Sequence, residues 1–173
     1  MTITIRQARD ERDADVVATM WTEVSEWLAK QGTDQWQYPV RIDALKSNVA
    51  AGSVWLAEDD GEPVGTITID LNSDPGLWSS ADLADAVVIH RLVVKRSHAG
   101  RGIAAKLLQH AEQVGRRLGR HWIRLDAWTN NTALHDYYRR IGFRFVRKAN
   151  TEQLPYPARE SAVLFERPIP HTC

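Results

Sequence analysis

The stretch that most constrains this chain is VVIHRLVVKRSHAGRGIAAKLL, residues 87 to 108. It begins as an apolar strand that ends at Val94 and is interrupted only by His90 and Arg91. A polar loop follows. Gly100-Arg101-Gly102 then opens a helix, marked by Ile103, Leu107, Leu108, Ala111, Val114 and Leu118 at helical spacing. A strand that runs through a glycine loop into a helix is a unit of α/β architecture. The loop also has a chemical reading. Glycine lets backbone approach a ligand closely, and the free N–H groups at a helix start suit phosphate. Lys95, Arg96 and Arg101 add positive charge there. The plain alternative is a tight turn and nothing more, because short glycine motifs are frequent.

The flanking sequence supplies the remaining elements. Thr2 to Ala8 alternates as a strand, and Asp10 or Asp13 caps a helix through Val16, Val17, Met20, Trp21, Val24, Trp27 and Leu28 that stops at Gly32. A weaker helix covers Ile42 to Ala50. Ser53 to Glu58 and Pro63 to Leu71 form a hairpin turned at Asp59-Asp60-Gly61, and Asn72 to Ala84 is a loop. Ala86 to Val94 and Trp122 to Ala127 are strands. Asn130 or Asn131 caps a short helix ended by Gly142, and Phe143 to Arg147 and Ala162 to Arg167 are the last strands. The order β-α-α-β-β-β-α-β-α-β-β predicts an α/β chain with a mixed sheet of about seven strands and about four helices, in a single domain spanning residues 1–173.

Composition excludes several classes. The formal net charge is zero, with 22 basic and 22 acidic side chains, whereas nucleic-acid binders usually carry a basic excess. The only cysteine is Cys173, so there is no disulfide framework and no cysteine metal cluster. His98, His110, His121, His135 and His171 show no metal-ligand spacing, so no metal is expected. The polar N-terminus lacks an apolar signal core and no stretch approaches a membrane span, so a cytoplasmic protein without membrane contact is expected. Gly100, Gly102 and Ala105 also fit a dinucleotide fingerprint, with Asp126 at the end of the next strand. That reading fails on the long insertion Lys95 to Ala99 and on the short chain left after Asp126.

A second cluster is LDAWTNNTALHDYYRRIGF, residues 125 to 143. By itself it reads as a strand, an Asn-capped helix and two half-buried tyrosines. In order after the glycine loop, it makes the chain resemble the GNAT superfamily of N-acetyltransferases. The family hexamer [QR]-x-x-G-x-[GA] falls on Ala99-Gly100-Arg101-Gly102-Ile103-Ala104, with Ala99 departing from the usual Gln or Arg. The second signature, an Asn followed by a Tyr four residues before Gly-Phe, is matched by Asn131, Tyr138, Gly142 and Phe143.

The resemblance implies acetyl-CoA as cofactor. Leu92, Val93 and Val94 would pair with the pantetheine arm as an added strand. Ala99, Gly100, Arg101, Gly102, Ile103, Ala104 and Ala105 would cradle the pyrophosphate, Asn131 would contact the cofactor, and a strand bulge would fall at Arg91-Leu92. Tyr138 would donate a proton to the departing sulfur. His90 would be the general base, since imidazole titrates near neutral pH. The plain readings are a packed tyrosine and a hydrogen-bonded histidine, and Glu58, Asp70 and Asp126 are further carboxylates to weigh as base. A small-molecule primary amine is the expected acceptor, with Trp36 and Trp78 as pocket residues, Glu23, Glu26, Asp34 and Asp82 as nearby acids, and Trp21 and Trp27 in the core. The alternatives are a protein or peptide N-acetyltransferase, or an inactive acyl-CoA-binding domain. An open groove in the 72–84 and 152–159 loops would favour the peptide. Family members often dimerise, so a homodimer is a further expectation.

Overall fold

In a computed structural model, which describes residues 1–171, the strands are β1 (Ile3–Gln7), β2 (Val54–Asp59), β3 (Glu62–Asp70), β4 (Ala86–Val94), β5 (Trp122–Ala127), β6 (Arg144–Lys148) and β7 (Val163–Pro168). The helices are α1 (Glu11–Lys30), α2 (Ile42–Ala50), α3 (Ser80–Ala84), α4 (Ile103–Arg117) and α5 (Thr132–Arg140). Cys173 lies outside the described residues. The seven strands form one mixed sheet in the order β1-β2-β3-β4-β5-β7-β6. The expected element order therefore holds, with one helix added. α3 replaces the end of the loop expected at 72–84. Its start is a capping box, in which Ser79 accepts from the Asp82 N–H and Asp82 accepts from Ser79.

The chain divides into two compact units. The first takes in Met1–Gly32, Gln37–Ile69 and His90–His110. Asp10 caps α1 by accepting from the Arg12 and Asp13 N–H groups, and Val17, Met20, Trp21 and Leu28 bury the apolar stripe. Trp27 departs from the expected core position. It is half-buried, and the Arg96 guanidinium lies 3.8 Å over its ring. Asp60 and Gly61, at φ 49° and 86°, make the two-residue turn between β2 and β3 that matches strand twist. Gly65 on β3 makes room for the start of α4. A Cβ there would meet Ile103 Cγ2 at 3.0 Å and the Val93 carbonyl oxygen at 3.2 Å.

The second unit takes in Thr33–Trp36, Asp70–Ile89 and the chain from Ala111 onward. β4 pairs with β5 in parallel from Ala86↔Trp122 to Val88↔Arg124, whereas β5 pairs antiparallel with β7 along its whole length. Buried Arg124 donates to Glu166 at 2.8 Å, and Arg144 reaches the same carboxylate from β6. Trp78 is not a loop residue open to ligand, as expected from sequence. It is 7% exposed and packs with Leu77, Ala149 and Leu164, because the indole offers more apolar area to bury than its loop could leave in water.

Candidate functional site

In the first unit the glycine loop sits between two anchors. On the strand side, the Lys95 N–H donates to the Val64 carbonyl at 2.9 Å, and Lys95 Nζ pairs with Glu62 at 3.2 Å. A single 3-10 turn, Arg96–His98, leads into Ala99. On the helix side Ile103 is buried. Between them Gly100 and Gly102 adopt φ 77° and 76°, which L side chains reach only at a cost, and a Cβ on either would meet nothing within 4 Å. These glycines serve backbone conformation rather than packing. The N–H groups of residues 100–105 have no acceptor among the described residues, and the first to be taken is that of Lys106, by the Gly102 carbonyl at 3.1 Å. Six consecutive amide donors at a helix start suit a pyrophosphate. Ala99, Arg101 and Ala105 are exposed and Ala104 half-buried, and Arg101 makes no ion pair among the described residues. The loop residues therefore fit the group that the sequence motif implies.

Upstream on β4, Val93 is buried while His90, Leu92 and Val94 are half-buried. Arg91 has φ 49°, the left-handed region that a bulky residue enters only under constraint. A left-handed residue inside a strand interrupts its pleat, at the position where sequence places the bulge.

In the second unit α5 carries the other predicted residues. Asn131 caps it. Its Oδ1 accepts from the Leu134 N–H at 3.1 Å and its Nδ2 donates to Gln35 Oε1 at 2.7 Å. The side chain therefore already has a structural task at each end. The loop residue Asp34 accepts from Trp128 Nε1 at 2.8 Å, and His135 Nε2 lies 2.8 Å from the Trp128 carbonyl oxygen. Asp34, expected from sequence as an acid near the acceptor, is thus tied to Trp128, and Gln35 is a framework residue that sequence reasoning did not assign. No motif marks it, because Gln35 and Asn131 are 96 residues apart. Asp82, expected near the acceptor, is spent on the α3 cap and held below the usual carboxylate range, first by the Ser79 hydroxyl.

Tyr138 is 8% exposed and packs against Tyr137, Phe143 and Phe165. α5 ends in a Schellman motif. The Phe143 N–H donates to the Tyr138 carbonyl at 3.0 Å, the Gly142 N–H to Arg139 at 3.2 Å, and Gly142 has φ 94°. The Tyr138 and Phe143 rings, 5.4 Å apart, supply the hydrophobic contact of that motif. Burial raises the Tyr138 phenol above its ordinary value, and the charges of Tyr137 and Asp126 raise it further. Its proton is therefore held throughout the neutral range. Of the other acids weighed as base, Glu58 accepts from Arg6 at 2.7 Å and Asp70 accepts from the Leu71 and Asn72 N–H groups. Among the described residues no group of three His, Cys, Asp or Glu side chains could hold a metal, and no helix is long and apolar enough to cross a membrane.

A family model described as "Acetyltransferase (GNAT) family" matches residues 21–143. The uncharacterized N-acetyltransferase YesJ of Bacillus subtilis (strain 168) is 29% identical over 140 residues, 78% of this chain and 78% of that protein. Among solved structures, an acetyltransferase of the GNAT family from Listeria monocytogenes 4b F2365 is 24% identical, with a TM-score of 0.77 over 96% of this chain and 94% of its own. The PaiA N-acetyltransferase of Thermoplasma acidophilum, solved in complex with coenzyme A, is 16% identical, with a TM-score of 0.70 over 97% of this chain and 99% of its own. At these identities the two solved structures speak for the fold alone.

Proposed function

This chain belongs to the acetyltransferase (GNAT) family, and from that premise we propose that it transfers the acetyl group of acetyl-CoA to a primary amine of a small molecule by direct attack on the thioester. The observation that carries the reading is the run of unpartnered amides at residues 100–105, held open by two left-handed glycines. The family model takes in segments of both compact units, and we take residues 1–173 as one catalytic domain.

Acetyl-CoA supplies an activated acyl carbon and a thiolate leaving group. The protein's part is to bind, to orient and to move protons. Residues 99–105 hold the pyrophosphate and Leu92, Val93 and Val94 offer strand edge to the pantetheine arm. The β4–β5 ladder ends at Val88, which suits such an added partner. Asn131, which already caps α5, would contact the cofactor, as the family signature implies. His90 takes the proton that the amine must lose, since free alkylamines are protonated at neutral pH. Tyr138, protonated at neutral pH, would give its proton to the departing sulfur and recover one from the nitrogen that becomes the amide.

The choice of a small acceptor rests on the two loops that a peptide groove would have to open. Leu77 and Trp78 from one loop are buried in a cluster with Ala149 and Leu164, and both Leu83 and Leu154 pack against it. Arg147 further donates to the Leu77 carbonyl, and Thr151 donates to the Arg159 carbonyl at 2.9 Å. Loops clamped to a common core leave less room for an extended chain. The test has two steps. Saturating acetyl-CoA, at about 100 times its Kd, should add roughly 2.7 kcal/mol of stability and raise Tm visibly, while NAD and ATP should not. Thiol release should then be higher with small alkylamines than with peptides bearing free N-termini or lysines. No shift with acetyl-CoA removes the cofactor assignment, and faster peptide turnover moves the acceptor to the protein class.

A further inference from the structure

A Cβ on either glycine at the tip of the loop would meet nothing within 4 Å, so what anchors the loop lies at its ends. The helix end is fixed by buried Ile103. At the strand end, already anchored through Lys95, there is one further side chain that no motif marks. His98 closes the 3-10 turn two residues before Gly100. Its Nδ1 lies 2.9 Å from Ser97 Oγ, and its Nε2 lies 3.5 Å from Asp59 Oδ2 at the tip of the β2–β3 hairpin. The two side chains are 19% and 17% exposed, so the pair is largely withdrawn from water. The other carboxylate oxygen, Asp59 Oδ1, is buried with no hydrogen-bond partner among the described residues.

The state of the imidazole decides whether the Asp59 contact carries charge on both sides. A neutral ring protonated on Nε2 donates to Asp59 while its Nδ1 accepts from the Ser97 hydroxyl, so both contacts are made without charge, and an imidazolium turns the Asp59 contact into an ion pair. It also meets a carboxylate that is otherwise short of donors, and it adds a positive charge at the entrance of an anion cradle. The other charged groups around the turn are Glu62, paired with Lys95, Asp60 on the hairpin turn, and Arg96 and Arg101 on the loop itself.

We propose that His98 is a positioning residue for the phosphate cradle, clamped by Asp59, and that its protonation tightens the binding of the CoA pyrophosphate. The proposal rests on reading residues 99–105 as that cradle. It concerns affinity for the acyl donor and not the chemical step, because neither side chain is among those assigned to proton transfer.

Dephospho-CoA is the probe, since it lacks the 3′-phosphate whose own second ionisation near pH 6 would confuse the profile. Its Kd is measured by calorimetry from pH 5.5 to 8.5 on the wild type, His98→Gln and Asp59→Asn. For the wild type, Kd should fall about three- to tenfold towards low pH, the size of a modest, partly screened ion pair. His98→Gln should be flat with pH at the weaker value, and Asp59→Asn should lose most of the slope. In steady state with acetyl-CoA both variants should raise KM and leave kcat within about twofold. A His98→Gln protein that keeps the wild-type slope, or that loses kcat with KM intact, overturns the proposal. Should that variant not fold, the near-isosteric Asp59→Asn decides by the same slope. Failure of the wild type to bind dephospho-CoA and acetyl-CoA at any pH is a different result, which removes the cradle itself.

Discussion

Tyr138 and His90 handle different protons in the proposed reaction, so their variants separate. Tyr138→Phe keeps the ring contacts with Phe143 and Phe165 and removes only the hydroxyl. It should lower kcat by about 100-fold, the lower range for a lost proton donor, with Kd for acetyl-CoA unchanged. His90→Gln should instead remove the acidic limb of the kcat/KM profile. An unaltered turnover in the first, or an unaltered profile in the second, removes that residue from the mechanism. These two candidates stand out in sequence, the histidine because it interrupts an apolar strand and the tyrosine because it matches the family signature before Gly-Phe. Gln35 was not legible, and Asp34 was read only as an acid near the acceptor, because each is defined by a partner more than ninety residues away. Trp78 was misplaced for a related reason. A tryptophan in a loop looks the same in sequence whether it lines a pocket or seals a core, and only the neighbours Ala149 and Leu164 decide it.

At the scale of elements, the end of α5 is the most explicit local instruction in the chain. Gly142 must be left-handed, and a Cβ there would also meet Arg167 Cδ at 3.4 Å. Gly142→Ala should cost about 1–2 kcal/mol and lower Tm by roughly 2–4 °C per kcal/mol, while Gly142→Asn should cost less because Asn enters the left-handed region more readily. Equal melting of all three proteins would show that the cap contributes nothing. The strand and long-helix boundaries were readable because periodicity accumulates over many residues. α3 was not, since five residues give no period, and its only sign is the Ser79 and Asp82 pair. β6 starts one residue later than expected because Phe143 is used by the cap of the preceding helix.

For the whole molecule, ionisation bounds the range of stability on both sides. Asp13 is held below the usual carboxylate range, first by hydrogen bonds from Arg6 and then by the Arg9 N–H, against a smaller opposing effect of burial than that of Arg6. Asp82 is lowered by Ser79. In acid the unfolded chain takes up protons at such carboxylates before the folded one does, so their contribution is present above about pH 4 and is lost as pH falls below it. Tyr138 acts in the opposite sense. Its folded value is raised, so the unfolded chain loses that proton first and stability falls as pH rises beyond about 10. Denaturant midpoints should therefore show a plateau between these limits. Asp13→Asn should flatten the acid side, and Tyr138→Phe the alkaline side; a slope unchanged by either variant assigns it to other groups. The double use of the α5 terminus has a consequence for descent. Asn131, Gly142 and Phe143 would be retained by any descendant that needs only to fold, whether or not it still turns over substrate. If Tyr138 acts as proposed, only its phenolic oxygen in that signature serves the reaction alone, so a lineage that had abandoned the reaction would be free to carry phenylalanine there while keeping the rest.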